Sequence, residues 1–322
     1  MNIHIVGAGA IGLLFGGYLA DAGAEVTFWT RRKAQAELLL QNGIHLEEAG
    51  GNTFTLHPES WTARDLSDSE RSKFLPSDAP DWLLVTTKQN DLNDSLITAI
   101  TRIAGPHTNI ACLQNGVGHI ARMSSLLGGQ PLFSIITTEG SAKLSDNMVR
   151  RAGIGETKLG VSMDQLHTDI SSTVDKAAET LLNLLNKAGF PSFLSKDIDK
   201  DIYRKLLINS VINPLTALLR IPNGDLLLKE ETIQMIRKLC MEAEQIYTAC
   251  GIPFDYNTFE VVTGVCRSTS SNTSSMLGDI LQGRATEIDA INGHLVSIAQ
   301  SAGIHAPMHE ALWLLVKSLH PQ

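Results

Sequence analysis

At 322 residues, 43% of them hydrophobic and 19% charged, the chain is longer than one core usually organises, so two globular domains are expected. A formal net charge of −8 excludes a dedicated nucleic-acid surface, because holding phosphates needs a basic field. No apolar run approaches the roughly 18 residues of a membrane span. Cys112, Cys240, Cys250 and Cys266 form no metal or redox spacing, and no leader-like segment precedes the first strand. A cytoplasmic protein without membrane or nucleic-acid partners is expected.

Asn2 to Val6 reads as a strand, the Gly-rich stretch after it leads into a helix over Ile11 to Ala20, and Gly23 ends that helix. Glu25 to Trp29 is a second strand, completing a β-α-β unit. Trp61 to Pro80 is polar and rich in Ser, Asp and Pro, and is read as a surface excursion. Trp82 to Thr86 and Asn109 to Leu113 are buried-type strands, followed by strands at Phe133 to Thr138, Asn147 to Arg150 and Thr157 to Val161. A helix near Ala177 to Ala188 stops at Gly189 and Pro191.

From about Asp197 strands give way to helical periodicity. Ile233, Ile236, Cys240, Ala243, Ile246 and Tyr247 make one helical face, and Ile288, Ile291, Leu295 and Ile298 another. Ser268 to Ser275 reads as a loop between helices. The expected architecture is therefore an α/β Rossmann domain with a doubly wound, mainly parallel sheet over residues 1–196, and an all-α domain over residues 197–322.

Gly7-Ala8-Gly9-Ala10-Ile11-Gly12 matches G-x-G-x-x-G between a strand and a helix, the context in which that pattern signals a dinucleotide. Gly7 allows the turn, Gly9 the approach of a pyrophosphate, and Gly12 close packing of helix on strand. The second strand ends in Thr30-Arg31-Arg32 with no acidic residue to accept from a ribose hydroxyl, which favours NADP(H) over NAD. Lys88 and Asn115 stand at the carboxyl ends of later strands, where open sheets bind ligands.

In the helical half, Lys205, Asn209 and Asn213 fall four apart on one face. Burying an amine and two amides without partners is costly, so their alignment points to a lined cleft. Pro214 should disturb this helix by removing a donor and crowding the Ser210 carbonyl. His305 and His309 have helical metal-ligand spacing, but Pro307 between them and the lack of a third ligand argue against metal. Residues 155–160 lack the Walker lysine, and no hydrolase nucleophile motif occurs.

Taken in order, the Gly7 loop, Lys205 to Asn213, Pro222-Asn223-Gly224-Asp225, Ser274-Ser275-Met276-Leu277, Thr286-Glu287-Ile288-Asp289 and Ile291-Asn292-Gly293 closely resemble the motifs of the ketopantoate reductase family. The resemblance spans nearly the whole chain. It implies NADPH-dependent reduction of 2-dehydropantoate, a small 2-oxo acid, to (R)-pantoate. It also implies that Lys205 and Glu287 are catalytic, that Asn115, Asn209, Asn213, Asn223 and Ser275 bind substrate, and that Arg31, Lys88, Asn115 and Glu287 lie on the cofactor side. Gln89-Asn90 after Lys88 lacks an aromatic residue frequent there, and the Trp61 to Pro80 stretch is longer than the family pattern. Three readings stay open at this level: this reaction, reduction of another branched 2-oxo acid, or non-catalytic NADP binding, in each case by a monomer or homodimer.

Overall fold

The computed structural model describes residues 1–48, 50–71, 79–127, 129–161 and 171–319. They form two compact units: residues 1–114 with 119–198, and residues 199–322 with the short segment 115–118.

The first unit begins β1 (Asn2–Val6), α1 (Ala10–Asp21), β2 (Glu25–Thr30), α2 (Lys33–Asn42), β3 (Ile44–Glu47), β4 (Thr53–Leu56), β5 (Trp61–Asp65), α3 (Asp68–Arg71) and β6 (Trp82–Val85). It continues α4 (Asp94–Ile103), β7 (Asn109–Cys112), α5 (His119–Leu126), β8 (Leu132–Thr137), β9 (Gly140–Ser145), β10 (Met148–Gly153), β11 (Thr157–Gly160), α6 (Ser171–Lys187) and β12 (Ser192–Leu194). The main sheet has the order β12-β11-β8-β7-β6-β1-β2-β5. All its pairings are parallel except β8 with β11.

Burial on both faces explains why the inner strands β1, β6 and β7 are almost continuously apolar. Alternate residues of β1 divide between two cores: Ile3 and Ile5 pack with Leu13, Phe15 and Leu19 of α1, while Val6 packs with Leu96, Ile97 and Ile100 of α4. After β1 the chain runs outward to β2, and it returns to lay β6 on the opposite side. The carboxyl end of β1 is therefore the switch point where open α/β sheets form their ligand crevice.

A second sheet, in the order β4-β3-β10-β9, has no counterpart in the sequence reading beyond the strand expected near residues 147–150. It covers the other side of α1, which is why that helix is apolar nearly all round. A Cβ added at Gly17 would stand 3.1 Å from Leu46 of β3. The expected surface excursion is also corrected. Residues 61–65 form β5, paired with β2, and Trp61 and Ala63 face the core while Thr62 and Arg64 alternate outward. Residues 72–78 of that stretch lie outside the described residues.

The second unit is helical: α7 (Ile198–Leu219), α8 (Glu230–Ala249), α9 (Thr258–Ser268), α10 (Ser275–Leu281), α11 (His294–Ser301) and α12 (Pro307–Ser318), with a π turn over Asp289–Gly293. Its core gathers Val211 and Leu215 of α7, Ile236, Cys240 and Ile246 of α8, and Ile291 and Leu295 from the later helices. Pro214 does not break α7, which runs on to Leu219. Among the described residues no helix is long and apolar enough to cross a membrane.

One buried ion pair braces the first unit. Arg151 of β10 donates to both carboxylate oxygens of Glu139 at 2.8 and 2.7 Å and to the Gly189 carbonyl at 2.9 Å, with its guanidinium over Phe190 and near Tyr18. Removing one member of such a pair strands the other charge in a dry environment. Glu139→Ala should therefore destabilise the protein by about 3–5 kcal/mol, read as a lower urea midpoint with an unchanged slope.

Candidate active site

The turn after β1 has the geometry its glycines predict. Gly7 adopts φ +108°, open to glycine at little cost, and its N–H donates to the Trp29 carbonyl at 3.0 Å. A Cβ at Gly12 would collide with the Gly7 carbonyl oxygen and with the Thr86 hydroxyl. Thr86, just past β6, donates that hydroxyl to the Gly7 carbonyl at 2.6 Å and fixes the turn from the neighbouring strand. Gly9 is different: no described atom lies within 4 Å of where its Cβ would be. It caps α1 without any side-chain cap, and the helix's first turn carries no acidic residue. An uncapped helix N-terminus with open space before it and no repelling carboxylate suits a pyrophosphate.

At the end of β2 the two arginines part company. Arg32 is bound to Asp146 at 2.6 Å, whereas Arg31 is largely exposed and meets Asp91 at 3.1 Å. Asp91 closes a short 3₁₀ turn, Gln89–Asp91, for which half-buried Lys88 is the N-cap. Arg31, Lys88 and the glycine turn thus all lie at the carboxyl edge of the parallel strands. The Arg31–Asp91 contact joins residues 60 positions apart, and no local pattern announces it.

In the second unit α7 carries Lys205, Asn209 and Asn213 on one face, the first two half-buried and Asn213 buried. Lys205 is squeezed between two opposing influences. Loss of hydration favours the neutral amine and lowers its pKa to about 8 from an ordinary 10.5, while the Glu287 carboxylate partly restores the charge. An amine that titrates near neutrality can serve as a proton donor.

Glu287 precedes the π turn, and its Oε2 accepts from the side-chain amide of Asn115 at 3.1 Å. Asn115 belongs to the segment 115–118 that clusters with this unit. Gly116 and Gly118, at φ +82° and +94°, give the segment its bend. Lys205, Glu287 and Asn115 are therefore brought together, although 172 positions separate the last two.

Asn223 opens a 3₁₀ turn, Asn223–Leu227, whose first N–H donates to the Asn272 carbonyl at 3.0 Å, three residues before Ser275. Asn223 is buried; its Nδ2 donates to the Thr269 hydroxyl at 2.9 Å, and its Oδ1 is buried without a protein partner. Ser275 is exposed at the start of α10, which Ser274 caps by accepting from the Leu277 N–H. Thr216 of α7 donates to that same Ser274 hydroxyl at 2.7 Å, so the α10 start is tied to the lysine helix. Sequence alone assigned no role to Thr86, Asp91, Thr216 or Ser274. Each supports a site residue through a bond to a distant segment.

His309 is buried, with its Nδ1 3.1 Å from the Asn292 amide and its Nε2 3.2 Å from the Leu239 carbonyl, and burial lowers its pKa to about 4. Among the described residues no group of three or more His, Cys, Asp or Glu side chains is placed to hold a metal.

Comparison with known proteins follows the same division of the chain. Residues 3–163 match the family model for "Ketopantoate reductase PanE/ApbA", and residues 197–320 match its C-terminal companion. The chain belongs to the ketopantoate reductase family. A 2-dehydropantoate 2-reductase of Bacillus subtilis is 34% identical over 99% of this chain and 97% of its own length. One from Pyrococcus horikoshii is 31% identical with the same coverage. Among solved structures, the probable Bacillus subtilis enzyme superposes with a TM-score of 0.77 at 31% identity, covering 99% of this chain and all of its own. D-mandelate dehydrogenase bound to NADH and anilino(oxo)acetate shares the fold, with a TM-score of 0.85 at 23% identity over 99% of this chain and 98% of its own.

In this ketopantoate reductase family member the electrostatic pairing has a measurable signature. Because Glu287 raises the Lys205 pKa, Glu287→Gln should move it below about 8, as followed by NMR titration of the lysine side chain. An unmoved titration would show that the two charges do not interact.

Proposed function

We propose that the chain reduces 2-dehydropantoate to (R)-pantoate with NADPH, a step of pantothenate and hence coenzyme A synthesis. The observation that carries this reading is Lys205 within electrostatic reach of a Glu287 carboxylate that Asn115 holds, on the family's own motifs. In this reading residues 1–196 serve the cofactor and residues 197–322 the substrate and the chemistry. The protein works in the cytoplasm on a small-molecule 2-oxo acid, as a monomer or homodimer, without nucleic-acid or membrane partners.

The first unit fits the cofactor. Gly7, Ala8, Gly9, Ala10, Ile11 and Gly12 offer backbone and the α1 N-terminus to the pyrophosphate, Arg31 offers a guanidinium to the 2′-phosphate, and Lys88 adds positive charge. Bound NADPH supplies the hydride that the 2-oxo carbon accepts. As that carbon is reduced, its oxygen gathers negative charge. The Lys205 ammonium stabilises this charge and gives up its proton, forming the alcohol, and the neutral amine then regains a proton from solvent.

Glu287 raises the Lys205 pKa and so favours the ammonium form, and Asn115 holds the carboxylate in place. Asn209 and Asn213 have amide donors for the substrate carboxylate, and Ser275 adds a hydroxyl at the α10 start. The Asn223 Oδ1, buried and without a protein partner, is an acceptor matched to the substrate hydroxyl.

Purified protein should oxidise NADPH when given 2-dehydropantoate, with kcat/KM falling as pH rises through about 8, where the ammonium form is lost. Lys205→Ala should lower kcat by about 10²-fold or more with NADPH affinity nearly intact. Retained turnover would remove Lys205 from the role of acid, and no turnover by the parent protein would remove the reaction itself.

Arg31→Ala should weaken NADPH binding by about tenfold, the order expected for one charge-assisted hydrogen bond. NADH binding should scarcely change. Equal losses for the two cofactors, read by fluorescence titration, would exclude the 2′-phosphate role.

A further inference from the structure

A proline inside a helix leaves the carbonyl four residues earlier without its donor. In α7 that carbonyl is Ser210's, between Asn209 and Asn213 in the chain and little more than one helical turn past Lys205. It is nevertheless satisfied. The side-chain amide of Asn292, fully buried in the π turn Asp289–Gly293, donates to it at 2.9 Å.

The same Nδ2 lies 3.1 Å from Nδ1 of His309, and the Nε2 of that ring lies 3.2 Å from the Leu239 carbonyl. A carbonyl only accepts, so the neutral ring carries its proton on Nε2 and presents Nδ1 as an acceptor. Asn292 therefore has an acceptor for each amide hydrogen, and a flipped amide would set its oxygen against two acceptors. His309 is itself seated by Glu242, whose carboxylate accepts from the N–H groups of Met308 and His309 at 3.0 and 2.8 Å.

We infer that Asn292 is a positioning residue for Lys205: it ties the lysine helix, at the carbonyl freed by Pro214, to the turn that begins just after Glu287, and so sets how the two reacting-site charges face one another. The inference rests on the reading above in which Lys205 is the acid. The supporting chain of contacts runs from α7 through the π turn and α12 to α8, so both ends of the tie are anchored in the helical core. π turns recur at functional sites for this kind of reason, because they turn one side chain out of the regular helical register.

A cycle of Asn292→Ala, Pro214→Ala and the double variant separates positioning from the mere satisfaction of a carbonyl. Alanine at position 214 restores the helix's own N–H to Ser210 but does not restore the tie to the π turn. Asn292→Ala should lower Tm by several degrees and kcat by about tenfold or more, with NADPH affinity unchanged by fluorescence titration. Pro214→Ala should keep the parent kcat. The double variant should recover Tm while its kcat stays low. If kcat recovers together with Tm, Asn292 serves only the carbonyl and the inference fails. If Tm does not recover, Asn292 is not the substitute for the missing N–H, and the inference fails at its first step. A parent protein without turnover would instead strike the proposed reaction, and is told apart because no variant is needed to see it.

Discussion

Helix α1 can lie against β1 only because residue 12 has no side chain. The Gly7 carbonyl and the Thr86 hydroxyl occupy the space a Cβ would need. That single close approach aims the N-terminus of α1 past the end of β1, at the switch point of the main sheet. It also pins the helix between two sheets, so that Leu13, Phe15 and Leu19 pack on β1 while Gly17 receives Leu46 from the smaller sheet. The anion-receiving turn and the core of the first unit are thus one construction. A methyl group at this position would disturb both together.

The helical unit handles a different problem, that of keeping an amine charged where water is scarce. Desolvation pulls the Lys205 pKa down, and the nearby carboxylate of Glu287 opposes it. The carboxylate in turn needs a donor, which Asn115 supplies from a segment folded between two bends at Gly116 and Gly118. Polar groups on the lysine helix are treated likewise. Thr216 donates to Ser274, and the carbonyl stranded by Pro214 receives Asn292. The Asn292 Oδ1 is left buried without a protein partner, so the network uses both amide hydrogens at the cost of one acceptor.

What could be read from the sequence divides along the range of the forces involved. The β1-α1-β2 unit was legible because every signal in it is local: strand, glycine turn, apolar helix, and Gly23 at φ +94° after the helix end. That Lys205, Asn209 and Asn213 share one face of α7 was legible from spacing alone. The smaller sheet was not, because Ile44–Glu47 and Thr53–Leu56 are strands of only four residues, and the first of them depends on α1 and on a parallel partner about a hundred residues later. Trp61–Asp65 was hidden by its outward polar alternation. Pro214 was correctly read as removing a donor, yet the replacement comes from Asn292, 82 positions away, and no helical rule can name it.

The helical unit is discontinuous in sequence. Residues 115–118, which follow a strand of the main sheet, cluster with it; Val117 packs into its core, and Asn115 holds Glu287. Gene fusion and shuffling work on contiguous blocks, and here no contiguous block contains the whole of the second unit. A recombinant joining the first part of one relative to the last part of another would pair a foreign Asn115 loop with a resident glutamate. A cut after residue 198 would likewise part Glu287 from the amide that holds it.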